Sequence, residues 1–260
     1  MKIGSRILIK RILKKFDIGI TRYSNLEKIE RGIDANFDIE FLGRMPPEHV
    51  SSLLNLLKMS ESQLRQDLFV LSELDLKSNG YFVEFGAGDG IHFSNTYLLE
   101  NELGWNGIVA EPAKCWHGDL RKNRNCVVDT SCIWKRSGAE LVFNETTNSE
   151  ISTIDSYSSR DFFRNSRKNG RKYQVTTTSL LDLLEKNRAP EDIDYLSIDT
   201  EGSEFDILSG FDFGRYIFSV ITCEHNFTSD REKIRKLLAS HGYVRKFDDI
   251  SKFDDWYVKA

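Results

Sequence analysis

The stretch at residues 81–95, YFVEFGAGDGIHFSN, constrains the fold more than any other part of the chain. Aromatic and branched residues at 81–85 read as a buried strand, with glycines at 86, 88 and 90 directly behind it. Gly86 and Gly88 permit a tight turn whose backbone is bare enough for a ligand to approach, and Gly90 eases entry into a following helix. Strand, glycine turn and helix in that order predict an α/β fold with a mostly parallel sheet. Its ligand would lie outside the carboxyl ends of the strands.

The rest of the chain keeps this rhythm. NTYLLENELG reads as a helix ended by Gly104, WNGIVAEP as a strand, KCWHGDLRKN as a short helix and NCVVDTSCIW as a third strand. After an interruption, SLLDLLEKNRAP resumes as a helix, DIDYLSIDTEG as a strand, SEFDILSGFDF as a helix and IFSVITCEHN as a strand. The tail reads as one more helix and a final strand pair, which predicts an antiparallel C-terminal edge. The interruption, residues 134–174, suggests a hairpin followed by a serine-rich basic stretch; an insertion of that length points to a lid or substrate loop. Residues 1–60 are expected to form a mostly helical N-terminal extension, and residues 61–260 the domain proper.

The N-terminal segment MKIGSRILIKRILKKFDIG interleaves basic and branched residues without the continuous apolar run of a secretory signal. It suits a helix packed on the body or on a partner subunit, which leaves a homo-oligomer open, or a helix lying at the periphery of an anionic membrane. Lys and Arg total 36 against 40 Asp and Glu, a net charge of −4, so the footprint expected of a nucleic-acid binder is missing. Cys115, Cys126, Cys132 and Cys223 are too far apart for a zinc ribbon and are read as buried thiols of a reduced, cytoplasmic protein.

The glycine turn departs from the nicotinamide fingerprint, because the third glycine comes one place early and Asp89 would repel a pyrophosphate. Glu84, inside the first strand, calls for a cationic partner, which a ligand ammonium would supply. Glu111 closes the second strand, where a carboxylate can take both hydroxyls of a ribose. Asp129, at the third strand, is placed for the amino group of an adenine. A free ribose and a cationic appendage without phosphate describe S-adenosylmethionine as the cofactor.

A second acidic group follows. Asp199 ends one strand, with Glu201, Gly202 and Glu204 behind it, and Glu224, His225 and Asn226 end the next. Asp199, Glu224 and His225 could hold a divalent cation such as Mg²⁺ or Mn²⁺. Alternatively, His225 acts as general base with Asp199 or Glu224 orienting it. Glu201 and Glu204 are expected to cap the helix that follows.

The span from about 62 to 246 resembles the FkbM family of S-adenosylmethionine-dependent methyltransferases. The residues that carry the likeness are SQLRQDLFV, FVEFGAGDGIHFSNT, GIVAEP, VTTTSLLDLL and IDYLSIDTEGSEFDILSGFDF. The resemblance implies a Rossmann-like class I methyltransferase fold and transfer of a methyl group to a hydroxyl of a sugar or other metabolite. It further implies Gln66 with Asp67 closing over the cofactor or stabilising its pocket, Glu84, Gly86 and Gly88 beneath the methionine moiety, Glu111 on the ribose, and Asp199 beside the acceptor. The basic residues Arg160, Arg164, Arg167, Lys168, Arg171 and Lys172 favour an anionic small-molecule or glycan acceptor. A noncatalytic assembly subunit and a nicotinamide-dependent oxidoreductase stand as alternatives.

Overall fold

A computed structural model describes residues 35–260, and the amphipathic stretch at the N-terminus lies outside them. The chain divides between Arg44 and Met45. Residues 35–44 are helical.

From Met45 onward, two helices, α1 (Pro47–Leu56) and α2 (Gln66–Glu73), precede the first strand, β1 (Tyr81–Phe85). Then come α3 (Tyr97–Leu103), β2 (Asn106–Ala110), α4 (His117–Asn123) and β3 (Val127–Asp129). Gly104 ends α3 at φ 69°, the left-handed conformation that glycine adopts most freely. Later elements are α5 (Leu180–Lys186), β8 (Asp192–Ile198), α6 (Glu204–Ser209), β9 (Ile217–Glu224), α7 (Asp230–Ser240), β10 (Tyr243–Lys246) and β11 (Asp254–Lys259).

These strands form a seven-stranded sheet in the order β10-β11-β9-β8-β1-β2-β3. The five strands from β3 to β9 run parallel, and β11 pairs antiparallel with both β9 and β10. This is the expected Rossmann-like α/β fold with its antiparallel C-terminal edge. The central strands are apolar almost throughout, as strands covered on both faces must be; Val83, Phe85, Ile108, Leu196, Ile198 and Ile221 meet in the main core. β1 lies between β2 and β8, so the order of strands reverses on either side of it and opens a crevice at their carboxyl ends.

The interruption at 134–174 is more ordered than a lid loop. β4 (Cys132–Trp134), β5 (Glu140–Glu145), β6 (Thr153–Ile154) and β7 (Arg171–Ser179) build a second sheet, ordered β4-β7-β5-β6. The expected third strand is therefore two, since β3 joins the main sheet and β4 the second one. Phe143, Ile154, Tyr157 and Cys132 pack with Ala113 into a small core of their own. Cys132 and Cys223 are buried as expected, but Cys115 is exposed and Cys126 half-buried. No described helix is long and apolar enough to cross a membrane.

Candidate active site

The carboxyl ends of β1, β2, β8 and β9 open into a cavity of about 330 Å³. Its floor and walls include Gly86, Gly88, Glu111, Asp199, Glu201 and Glu224, with Phe143, Ile151 and Phe163 from the second sheet and its loops opposite.

Two glycines shape the floor differently. Gly86 has φ +77°, and a Cβ there would stand 1.8 Å from the Asp199 carbonyl oxygen, so the main chains of β1 and β8 approach too closely for any side chain. Gly88 has φ +53° and nothing within 4 Å of a Cβ position, which leaves bare backbone facing open space. A ligand can lie directly on it.

Glu111 is held from both sides. The amides of Gly88 and Ala113 donate to its two carboxylate oxygens at 3.0 and 2.7 Å. Burial nevertheless raises its carboxyl to about 7, so the group gains from further donors in the cavity, such as the two hydroxyls of a ribose. With Gly88, this fits the nucleoside of S-adenosylmethionine.

Glu84 does not reach the cavity. Its carboxylate accepts hydrogen bonds from the Ser94 hydroxyl (2.9 Å), the Asn95 amide (2.7 Å) and the Thr96 hydroxyl (2.6 Å), and pairs with Arg124 at 3.3 Å. Arg124, fully buried, is the cation that its burial required. The expected ligand ammonium is thus replaced by an internal guanidinium, and Glu84 fastens the segment after the glycine turn. Asp129 is likewise engaged away from the cavity, by Lys186 at 2.9 Å and the Ser131 amide at 2.8 Å. Gln66 donates to Asp254 at 2.9 Å, pinning α2 to the start of β11 opposite Glu224. Gln66 is not among the residues that line the cavity.

At the ends of β8 and β9, Asp199, Glu201 and Glu224 converge, with one carboxylate oxygen from each lying within 4.8 Å of the others. Burial raises all three, Asp199 to about 7, and the neighbouring acids raise Glu201 and Glu224 further. Asp199 and Glu224 lie close enough for one, when protonated, to donate to the other. Glu201 is tied instead to the fully buried Arg167 (2.6 Å) and to Asn226 (3.0 Å), both donating to Oε2. Neither Glu201 nor Glu204 caps the helix that follows, whose start has no side-chain cap; Glu204 instead accepts from the amides of Thr200 and Gly202 in the turn before it.

His225 corrects an expectation. His225 follows β9 directly, and it does not line the cavity that Glu224 lines. Its Nδ1 accepts from the Phe227 amide at 3.0 Å, and Nε2 lies 3.7 Å from Asp255. Burial lowers the imidazole to about 4. The cluster with Asp199 and Glu224 is completed by Glu201 instead of His225.

The basic stretch is also redirected. Arg167 is buried and bonded to Asp161, Glu201 and the Ile151 carbonyl; Lys172 pairs with Asp155 and Arg160 with Asp230. Among the described residues lining the cavity there is no Lys or Arg, whereas Glu111, Glu150, Asp199, Glu201 and Glu224 all line it. The expected attraction for an anionic acceptor therefore has no Lys or Arg contact in the wall.

An α/β domain with a nucleoside-sized cleft at the strand-order reversal is the class that fold and cavity define. The chain belongs to the FkbM methyltransferase family, whose domain matches residues 84–245, and methyl transfer dependent on S-adenosylmethionine is the activity this membership supports. It is similar to the methyltransferase FkbM from Methylobacillus flagellatus KT, at 14% identity and a TM-score of 0.49, over 99% of this chain and 71% of that one. It is also similar to precorrin-6y C5,15-methyltransferase from Geobacter metallireducens GS-15, at 14% identity and a TM-score of 0.41, over 75% and 87% of the two chains. A SAM-dependent methyltransferase from Aquifex aeolicus shares 12% identity at a TM-score of 0.35, over 80% of this chain and 96% of its own. No curated protein matches the chain.

Proposed function

We propose that the protein transfers a methyl group from S-adenosylmethionine to a hydroxyl oxygen of a saccharide or related small metabolite. The observation that carries this reading is the convergence of Asp199, Glu201 and Glu224 in the same cavity as Gly88 and Glu111. When bound, the cofactor supplies an electrophilic methyl on a sulfonium. What remains for the protein is to align the acceptor oxygen, exclude water and take the hydroxyl proton.

Glu224 is the group proposed for the proton. It is buried, its carboxyl is raised by burial and by Asp199, and a carboxylate whose affinity for a proton has been raised is a better base for a hydroxyl. Hydroxyls also suit the wall chemically, since they donate to carboxylates while apolar sugar faces rest on rings such as Phe143 and Phe163. A neutral polyol fits this lining better than an acidic one.

A metal-assisted variant rests on the same three carboxylates. Asp199, Glu201 and Glu224 could hold Mg²⁺ or Mn²⁺, which would lower the pKa of a coordinated hydroxyl. The deciding experiment incubates metal-stripped protein with S-adenosylmethionine and a panel of neutral saccharides and uronic acids, with and without each cation. Methyl transfer is read by mass spectrometry. Methylation of a neutral saccharide without metal supports the first form, and strict dependence on Mg²⁺ or Mn²⁺ the second. Transfer confined to uronic acids would refute the neutral acceptor.

A further inference from the structure

The engagement of Glu84 leaves the ammonium of the donor without its expected partner. Resting on the S-adenosylmethionine reading, we propose that Asp199 holds that ammonium, leaving Glu224 to the acceptor hydroxyl. Three observations lead there. Glu84 is closed off by Ser94, Asn95, Thr96 and Arg124, and does not border the cavity. Asp199 directly follows β8, the neighbour of β1 on the side away from β2, and its main chain lies against Gly86. A molecule laid across the Gly86–Gly88 turn therefore has Glu111 on one flank and Asp199 on the other. The donor is asymmetric in the same sense, with a ribose diol towards one end and an ammonium at the other.

The remaining acids are less suited. Oε2 of Glu201 already accepts from Arg167 and Asn226, so a second cation there would face the guanidinium. Glu111 is turned towards the nucleoside side by the amides of Gly88 and Ala113. Glu224 stands one strand further from the glycine turn, on β9.

The test needs no acceptor. S-adenosylhomocysteine and its deaminated analogue, in which hydrogen replaces the α-amino group, are titrated calorimetrically into the wild-type protein and into Asp199→Asn, Asp199→Ala and Glu84→Gln. A charge-assisted hydrogen bond predicts that the wild type prefers S-adenosylhomocysteine by about tenfold or more. In both Asp199 variants that preference should shrink to roughly threefold or less, and in Glu84→Gln it should persist. A folded Asp199 variant that keeps the wild-type preference overturns the proposal. So does a preference lost in Glu84→Gln alone, which would return the role to Glu84. Absence of binding by either compound to the wild type is a distinct result, refuting the donor reading itself.

Discussion

The guanidinium of Arg167 crosses from the segment before β7 to Glu201, Nη2 to Oε2 at 2.6 Å, while its Nη1 holds Asp161 and its Nε the Ile151 carbonyl. One buried side chain thus ties a carboxylate at the end of β8 to the opposite wall. Removing one partner of a buried ion pair leaves the other charge uncompensated, at a cost of about 3–5 kcal/mol. Arg167→Met should lower the melting temperature by roughly 10 °C. Adding Glu201→Gln should recover part of that loss, and a double variant no more stable than Arg167→Met would show that the pair is not coupled.

Glu224→Gln is expected to abolish methyl transfer while S-adenosylhomocysteine still binds within about threefold of wild type, because the amide keeps the shape but cannot accept a proton. Single-turnover transfer and calorimetry, measured on the same preparation, separate the two effects.

Glu111→Gln should weaken S-adenosylhomocysteine by about tenfold or more, through loss of charge-assisted hydrogen bonds from the ribose hydroxyls. The 2′,3′-dideoxy analogue should bind the wild type and the variant alike. If the variant discriminates the two ribose forms as the wild type does, Glu111 is not the ribose ligand.

Alanine at Gly86 and Gly88 should have different consequences. A Cβ at Gly86 meets the Asp199 carbonyl oxygen at 1.8 Å, so Gly86→Ala must displace β1 from β8 and destabilise the protein severely. Gly88→Ala meets no neighbour and carries mainly the strain of its left-handed φ, about 1–2 kcal/mol, yet its methyl occupies the ligand's surface. Thermal melts and nucleoside binding should therefore report a fold defect in the first and a binding defect in the second.

Burial raises Asp67 to about 6, Glu111 and Asp199 to about 7 and Asp254 to about 8. Between about pH 4 and 8 the unfolded chain gives up these protons while the folded one retains them, so their contribution to stability is lost as pH rises. His225, lowered to about 4, works in the opposite direction up to about pH 6.5. Glu201, Glu204 and Glu224 are raised as well, and these seven acids together outweigh His225 and predict a melting temperature that falls by several degrees from about pH 5 to pH 8. Saturating S-adenosylhomocysteine should flatten that fall, because donors to Glu111 and Asp199 favour their ionised forms. A melting temperature that rises over the same range would contradict the assignment.

The scaffold was readable where chemistry is local. The strand at 81–85, its glycine turn and the helix stop at Gly104 follow from residue type and spacing, and Glu111 from its place at the end of the next strand. Partnerships across the fold left no such mark. Glu84 meets Arg124, just past the end of α4, and Gln66 meets Asp254 at a separation of 188 residues. Arg167 sits among solvated basic residues and is set apart only by being buried. His225 lies just past β9, and its neighbours Phe227 and Asp255 are set by the fold, with nothing in the sequence around it to mark them.

The second sheet leaves the main one just after β3 and returns through β7 into α5, whose first turn is capped by Ser179. The wall it builds is consequently a graft with both ends at the frame, and none of Gly86, Gly88, Glu111 or Asp199 belongs to it. Exchanging residues 135–178 for another segment should redirect the protein to a different acceptor with the donor pocket untouched, provided the incoming piece brings its own buried cation for Glu201.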